Sequence, residues 1–157
     1  MAIDFITDQV AVGAREDALS ADALAEAGID FVLSLVLDME TPGVRQVRLE
    51  VRDREPLSTW TMARAVELIA AEVDAGRRVL VHCHMGLSRS PAIVLCYLRE
   101  RCGMTMRDAL RALKQARPQS MPHPALLASI IGYYDGAPSD LQPAPGRAAS
   151  AREGMAP

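Results

Sequence analysis

The chain has 157 residues, of which 50% are hydrophobic, and a net charge of −3. A chain of this length has room for one domain with a substantial core, because a domain of about 150 residues buries roughly 70% of its unfolded surface. Charges of both signs are spread along the sequence, which argues against a nucleic-acid-binding surface, and the longest apolar run, residues 92–98, is far shorter than the roughly 18 residues of a transmembrane helix.

The N-terminus predicts no export signal. Asp4 stands where a secretory signal carries basic residues, and no apolar segment with a cleavage site follows. The three cysteines are an odd number in a chain too large to depend on disulfides, which fits a reducing compartment. We therefore expect a soluble, cytoplasmic protein, without membrane association and monomeric.

The N-terminal half predicts strands that alternate with a helix. Residues 6–12 form the first predicted strand, and Ser20 can cap a short helix over residues 21–27 that ends at a glycine. Residues 31–36 have the apolar pattern of a fully buried strand. Over residues 46–52 apolar and polar residues alternate, which is typical of a strand with one buried face.

The C-terminal half predicts mainly helices. One helix can begin at Ser58 or Thr59 and run to Ala75, where a glycine stops it, and residues 78–81 form the next strand. Three further helices are predicted: over residues 90–101, from a cap at Thr105 to Arg117, and over residues 124–134.

This order of elements predicts an α/β domain over residues 1–135. Alternating strands and crossover helices favour a central sheet of four or five largely parallel strands flanked by helices. Residues 136–157 are rich in Gly, Pro, Ala and Ser and have no periodic apolar face. We expect that segment to be a disordered tail.

Residues 79–91 contain the most informative pattern. An apolar, β-branched run ends in Cys83, and Arg89 follows six positions later. If Cys83 ends a strand and the segment around Arg89 begins a helix, the N–H groups between them form a nest for an anion at the helix N-terminus. The residues expected to bind the anion are His84, Met85, Gly86, Leu87, Ser88 and Arg89, with Gly86 supplying the backbone freedom for the turn.

Such a loop can perform phosphate-ester chemistry. Arg89 can pair with two phosphate oxygens at once, and its positive surroundings favour the thiolate form of Cys83. Attack by that thiolate gives a phosphocysteine that water hydrolyses, and Ser90 can donate a hydrogen bond to the departing sulfur. This route uses neither a metal nor a cofactor, and we expect none.

The segment from His82 to Ser90 resembles the signature of the cysteine-dependent protein tyrosine phosphatases, and its Ser-Arg-Ser ending resembles the dual-specificity branch. The resemblance extends over most of residues 1–134. It implies that an upstream aspartate protonates the leaving group. Asp53, 30 residues before Cys83 and between the alternating strand and the next helix, fits that position, with Glu55 as the rival carboxylate. Asp74 is disfavoured because it lies far along the following helix.

The resemblance implies hydrolysis of phosphotyrosine, and also of phosphoserine and phosphothreonine, in proteins. His84, Met85 and Leu87 lack the strong positive charge expected around a polyphosphorylated inositol, so phosphoprotein is favoured over phosphoinositide or another small phosphate ester, which stays an alternative. One departure stands before the last helix, where Pro122-His123-Pro124 replaces a turn that often contains asparagine in the family.

Other classes of function fit these residues less well. A phosphate-binding module without turnover would not need both Cys83 and Asp53, and a sulfurtransferase of the rhodanese type would leave Asp53 unexplained. A metal site at His82, Cys83 and His84 is disfavoured because neighbours in a strand point to opposite faces. We expect His82 to support the loop through hydrogen bonds and His84 to lie at the pocket surface. The other two cysteines, Cys96 and Cys102, are expected to be buried small hydrophobes.

Overall fold

The computed structural model describes residues 2–136. Five strands form one sheet in this part of the chain: β1 (Asp4–Phe5), β2 (Val10–Gly13), β3 (Phe31–Ser34), β4 (Arg45–Arg48) and β5 (Val79–His82). Their spatial order is β1-β2-β5-β3-β4, with β1 antiparallel to β2 and all other pairs parallel. The predicted α/β class with a largely parallel sheet is confirmed. The predicted tail from residue 137 onward lies outside the described residues.

Six helices lie between residues 2 and 136: α1 (Arg15–Ala18), α2 (Ala21–Ala27), α3 (Thr59–Asp74), α4 (Arg89–Glu100), α5 (Met106–Ala116) and α6 (Pro124–Tyr134). Ser20, Ser58 and Thr105 each accept a hydrogen bond from the backbone N–H three residues on, as their predicted capping role requires. The single turn α1 was not predicted, because it has no apolar periodicity. None of these helices combines the length and the apolarity needed to cross a bilayer.

The central strand β5 is covered on both faces. Val79 and Val81 belong to the larger hydrophobic cluster, which includes residues of α3, α4, α5 and α6. Leu80, pointing to the opposite face, packs in a smaller cluster with Leu24 of α2. Because β5 also pairs with β2 and β3 at its two edges, its carboxyl end is held firmly where Cys83 follows it.

Three predicted strands were wrong in their extent, and the one predicted over residues 31–36 ends at Ser34. Residues 6–12 are not one strand, because the chain turns between β1 and β2, where Thr7 Oγ1 accepts hydrogen bonds from the N–H groups of Gln9 and Val10 at 3.2 and 3.0 Å. The strand predicted over 46–52 ends at Arg48. Its apolar alternation nevertheless continues, and Leu49 is buried.

Candidate active site

Cys83 lies directly after β5, at the carboxyl edge of the sheet and opposite the first turn of α4. Its Sγ is 3.2 Å from Ser90 Oγ, and the Ser90 N–H donates to the same sulfur at 3.5 Å. The N-cap residue Ser88 makes no side-chain capping bond, so it does not occupy the N–H groups of the first turn. The positive end of the α4 dipole therefore faces the sulfur, an arrangement that favours an anion beside it.

Three carbonyl groups of the connecting loop accept hydrogen bonds from residues outside it. The donors are the Arg15 N–H to His84 O at 2.9 Å, the Arg117 Nε–H to Gly86 O at 2.8 Å and the Met121 N–H to Leu87 O at 2.6 Å. Within a trans peptide the C=O and the following N–H point in opposite directions. The N–H groups of Met85, Leu87 and Ser88 consequently point away from these anchors, toward the inside of the loop, as the predicted nest requires.

Gly86 lies behind the pocket instead of lining it. Its φ is +70°, and a Cβ at this position would lie 2.6 Å from both Gly13 O and a guanidinium nitrogen of Arg117. Since real Cβ atoms do not come this close, the loop requires glycine here both for its left-handed backbone and for its lack of a side chain. The positive φ agrees with the backbone freedom expected of Gly86, and its part in binding the anion stays a prediction.

Arg117 is the buried support of this loop that the sequence did not reveal. It is fully buried, and besides Gly86 O it donates to Asp4 Oδ2 at 2.7 Å and to Ala2 O at 2.8 Å. The ion pair with Asp4 offsets part of the large cost of burying a guanidinium. In the sequence, Arg117 followed by Pro118 indicated only the end of α5.

A pocket of about 340 Å³ opens beside the Cys83 sulfur, within the size range of small-ligand sites. Its lining includes most of the residues predicted to bind the anion, together with the predicted acid, but neither Gly86 nor Ser90. The lining residues are Asp53, Arg54, Cys83, His84, Met85, Leu87, Ser88, Arg89, Met121, Pro122, His123 and Pro124. The loop before α3 and the turn before α6 thus form two of its walls.

Among the candidate carboxylates, Asp53 is the one that reaches this pocket. Arg89 Nη1 donates to the carbonyl of Val51 at 3.3 Å, which holds the Asp53 segment against the start of α4. Glu55 does not line the pocket and lies 4.0 Å from an Arg52 nitrogen. Asp74, at the end of α3, pairs with a surface arginine at 3.2 Å.

His82 belongs to a buried chain of hydrogen bonds. Its Nδ1 lies 3.0 Å from the Cys83 carbonyl, which can only accept, so Nδ1 carries the proton. Nε2 then accepts from the Ser34 hydroxyl at 2.7 Å, and Ser34 Oγ accepts from the Gln46 amide at 2.7 Å. Burial lowers the pKa of His82, which favours this neutral form.

The remaining cysteines differ from each other. Cys96 is buried in α4, where desolvation raises the pKa of its thiol and makes it a poor nucleophile. Cys102 is exposed just after α4, so the prediction that it is buried was wrong. The apolar character of a cysteine does not determine whether a residue just beyond the end of a helix is buried or exposed. Within residues 2–136, no three His, Cys, Asp or Glu side chains are grouped so that they could hold a metal ion.

Residues 122–124, where the sequence departs from the family's frequent asparagine, still cap a helix. His123 is the N-cap of α6, and its Nδ1 accepts from the Ala125 N–H at 3.0 Å. Its own N–H donates to Ser88 Oγ at 2.9 Å. Imidazole Nδ1 therefore does what an asparagine side-chain oxygen does at a helix N-cap, and it ties the turn to the loop after Cys83.

The sheet, the loop after Cys83 and the pocket together define an α/β domain with a cysteine between a central strand and the N-terminus of a helix. The family model described as "Dual specificity phosphatase, catalytic domain" matches residues 10–136. The chain therefore belongs to the dual specificity phosphatase family, as the resemblance of residues 82–90 predicted.

Individual relatives are similar over the same region. Dual specificity phosphatase 28 of Homo sapiens is 30% identical over 79% of this chain and 73% of its own length. Dual specificity protein phosphatase 8 of Mus musculus is 30% identical over 78% of this chain, which spans 19% of that longer protein. The crystal structure of human DUSP28 superposes with a TM-score of 0.78 at 24% identity, covering 86% of this chain and 94% of that one.

Proposed function

We propose that this chain hydrolyses phosphotyrosine, and also phosphoserine and phosphothreonine, in proteins through a phosphocysteine on Cys83. The observation that supports this proposal most is the position of the Cys83 sulfur. It lies at the N-terminus of α4 and within 3.2 Å of Ser90 Oγ, in a pocket that it shares with Arg89 and Asp53. A nucleophile, a cation and a proton donor thus line one cavity.

In the first step the Cys83 thiolate attacks phosphorus, the S–P bond forms and the ester P–O bond breaks. Asp53 transfers its proton to the departing oxygen, which leaves as a neutral hydroxyl. Arg89 and the inward N–H groups of the loop bind the non-bridging oxygens, whose charge they stabilise in the transition state.

In the second step water attacks the phosphocysteine, and the Asp53 carboxylate accepts its proton. The S–P bond breaks, inorganic phosphate is released and the thiolate returns. The Ser90 hydroxyl can donate a hydrogen bond to the sulfur as its negative charge develops. Asp53 and Cys83 end the cycle in the protonation states in which they began.

The setting of the reaction follows from its nucleophile. A thiolate enzyme needs its cysteine reduced, which supports a cytoplasmic location. Because Asp53, Cys83 and Arg89 of a single chain share the pocket, the proposed reaction needs no residue of a second subunit, and a monomer is the proposed active unit. Phosphoproteins and phosphopeptides are the proposed partners.

The function is tested with Cys83→Ser, and Cys102→Ser is a matched control because Cys102 is exposed and outside the pocket. We expect Cys83→Ser to lose turnover of p-nitrophenyl phosphate and of a phosphotyrosine peptide while still binding the peptide in calorimetry. Cys102→Ser should behave like the wild type. Turnover in Cys83→Ser would overturn the mechanism.

Assays of the wild type also distinguish the proposed function from its alternatives. Binding of a phosphopeptide without turnover would indicate a phosphate-binding module, and sulfur transfer from thiosulfate would indicate a sulfurtransferase. A higher kcat/KM on phosphoinositide vesicles than on phosphopeptides would assign the lipid as substrate.

A further inference from the structure

Arg54, the neighbour of Asp53, has an unusual backbone. Its φ is +65°, and it is the one non-glycine residue between 2 and 136 with a positive φ. This conformation is unfavourable for a residue with a Cβ and free for glycine. Strained residues of this kind are concentrated at ligand sites. An arginine side chain is thus present where glycine would fit the backbone better.

The guanidinium of Arg54 is available to a ligand. Arg54 is exposed and lines the pocket beside Cys83, and it makes no hydrogen bond or ion pair with the residues that the structure describes. Of its two neighbouring carboxylates in the described chain, Glu55 lies by Arg52 instead, and Asp53 forms no ion pair with Arg54. Arg89, by contrast, is engaged with the Val51 carbonyl. The pocket therefore has a second arginine whose guanidinium is not bound to any other described residue.

The charge around Arg54 favours an anionic group. Among residues 2–136, Asp53 is the sole carboxylate that lines the pocket, and in the proposed reaction it is protonated, hence neutral, when substrate binds. The phosphate itself is bound by Arg89 and the loop N–H groups. An anion near Arg54 would therefore be a second group of the substrate. In the proposed reaction no charged carboxylate of the pocket would repel it.

We propose that Arg54 binds an acidic side chain close to the phosphorylated residue of a peptide substrate and so gives this phosphatase a preference for acidic phosphopeptides. The inference rests on the proposed function. A peptide fits better than a polyphosphorylated lipid, because Arg54 is a single cation and His84, Met85 and Leu87 add no permanent positive charge.

The test compares two phosphotyrosine peptides that differ only in flanking glutamates replaced by glutamines. The measured quantity is the ratio of their kcat/KM values, from which general effects on catalysis cancel. We expect the wild type to favour the acidic peptide about threefold to fivefold, the upper range for one exposed ion pair. Arg54→Gly should bring the ratio to about one while relieving the backbone strain, and Arg54→Glu should bring it below one.

Arg52→Gly is the matched control, since Arg52 is also exposed but does not line this pocket. It should keep the wild-type ratio, and that ratio should fall as salt is added. A wild-type ratio of one, or the same ratio in Arg54→Gly, would overturn the inference while leaving the phosphatase function intact. A loss of activity in Arg54→Gly that is confined to phosphoinositide vesicles would also overturn the inference. If neither peptide is hydrolysed, the proposed function itself fails.

Discussion

The guanidinium Nε of Arg117 donates to the carbonyl oxygen of Gly86 at 2.8 Å, although the two residues are 31 positions apart. The same guanidinium pairs with Asp4. Arg117 thus connects strand β1 to the loop after Cys83, and it holds the Gly86 carbonyl on the side of the loop away from the pocket. We therefore expect the geometry of the loop to depend on the buried Arg117 guanidinium and on its partly buried ion pair with Asp4.

Arg117→Met should therefore affect both stability and anion binding. The substitution leaves Gly86 O and Asp4 without a donor, and we expect a loss of about 3 kcal/mol in the free energy of unfolding, measured in urea. Vanadate should inhibit the variant at least tenfold less well, because the loop N–H groups lose their orientation. Arg101→Met, which removes an exposed pair with Asp74, should cost less than about 1 kcal/mol. Unchanged vanadate affinity would show that Arg117 does not position the loop.

Gly86→Ala separates crowding from backbone strain. Gly86 and Gly103 have similar φ values of +70° and +66°, but a Cβ on Gly86 meets Gly13 O at 2.6 Å, whereas one on Gly103 meets nothing within 4 Å. Gly103→Ala should cost about 1 kcal/mol from φ alone. Gly86→Ala should lose clearly more free energy of unfolding, measured by thermal unfolding, and should also lower kcat/KM. Equal losses in the two variants would mean that the contact with Gly13 relaxes.

The parts of the site that could be predicted from sequence are those encoded locally. Cys83, Ser88 and Arg89 stand in one strand-loop-helix segment, and the fixed spacing of that segment brings them together without reference to the rest of the fold. The caps at Ser20 and Thr105 are local for the same reason. Asp53 was reached through the family resemblance and the strand-helix context, not through any local pattern.

What could not be predicted depends on contacts between distant segments. Arg117 supports Gly86 only because α5 ends beside the loop, and a buried arginine has the same sequence signature as an exposed one. Thr7 breaks a continuous strand pattern through its own hydroxyl, a local bond that apolar periodicity does not detect. The sequence likewise gives no sign of Arg54, which is distinguished by its backbone angle, by the pocket it lines and by the lack of a partner in the described part of the chain.

Ser90→Ala should slow the second step more than the first. The hydroxyl lies 3.2 Å from Cys83 Sγ, and a hydrogen bond to a charged group is worth about 1.5–3 kcal/mol, so kcat should fall roughly tenfold to a hundredfold. Because the phosphocysteine then accumulates, rapid mixing with p-nitrophenyl phosphate should give a burst of p-nitrophenol. A wild-type kcat without a burst would exclude this role.

His82 should make the stability of the fold sensitive to acid. Burial holds the pKa of His82 below its usual value near 6.5, so the unfolded chain binds the proton more readily than the folded one. The contribution of His82 is complete above about pH 6.5 and is lost as the pH falls from there through the lowered folded-state value. Urea unfolding should become easier over that interval, and His82→Gln should flatten this part of the profile. If the dependence of stability on pH persisted in His82→Gln, a group other than His82 would be responsible for it.

Asp53→Asn should change the pH dependence of kcat/KM in one direction. The proposed acid is active when protonated, so its contribution disappears as the pH rises, and the substitution should remove the alkaline limb of the profile. The rate on phenyl phosphate should fall about a hundredfold or more, and the rate on p-nitrophenyl phosphate by less, because that leaving group needs less help from a proton. Glu55→Gln is the control, since Glu55 lies outside the pocket and should retain the limb. An alkaline limb that survives in Asp53→Asn and disappears in Glu55→Gln would transfer the role to the rival carboxylate.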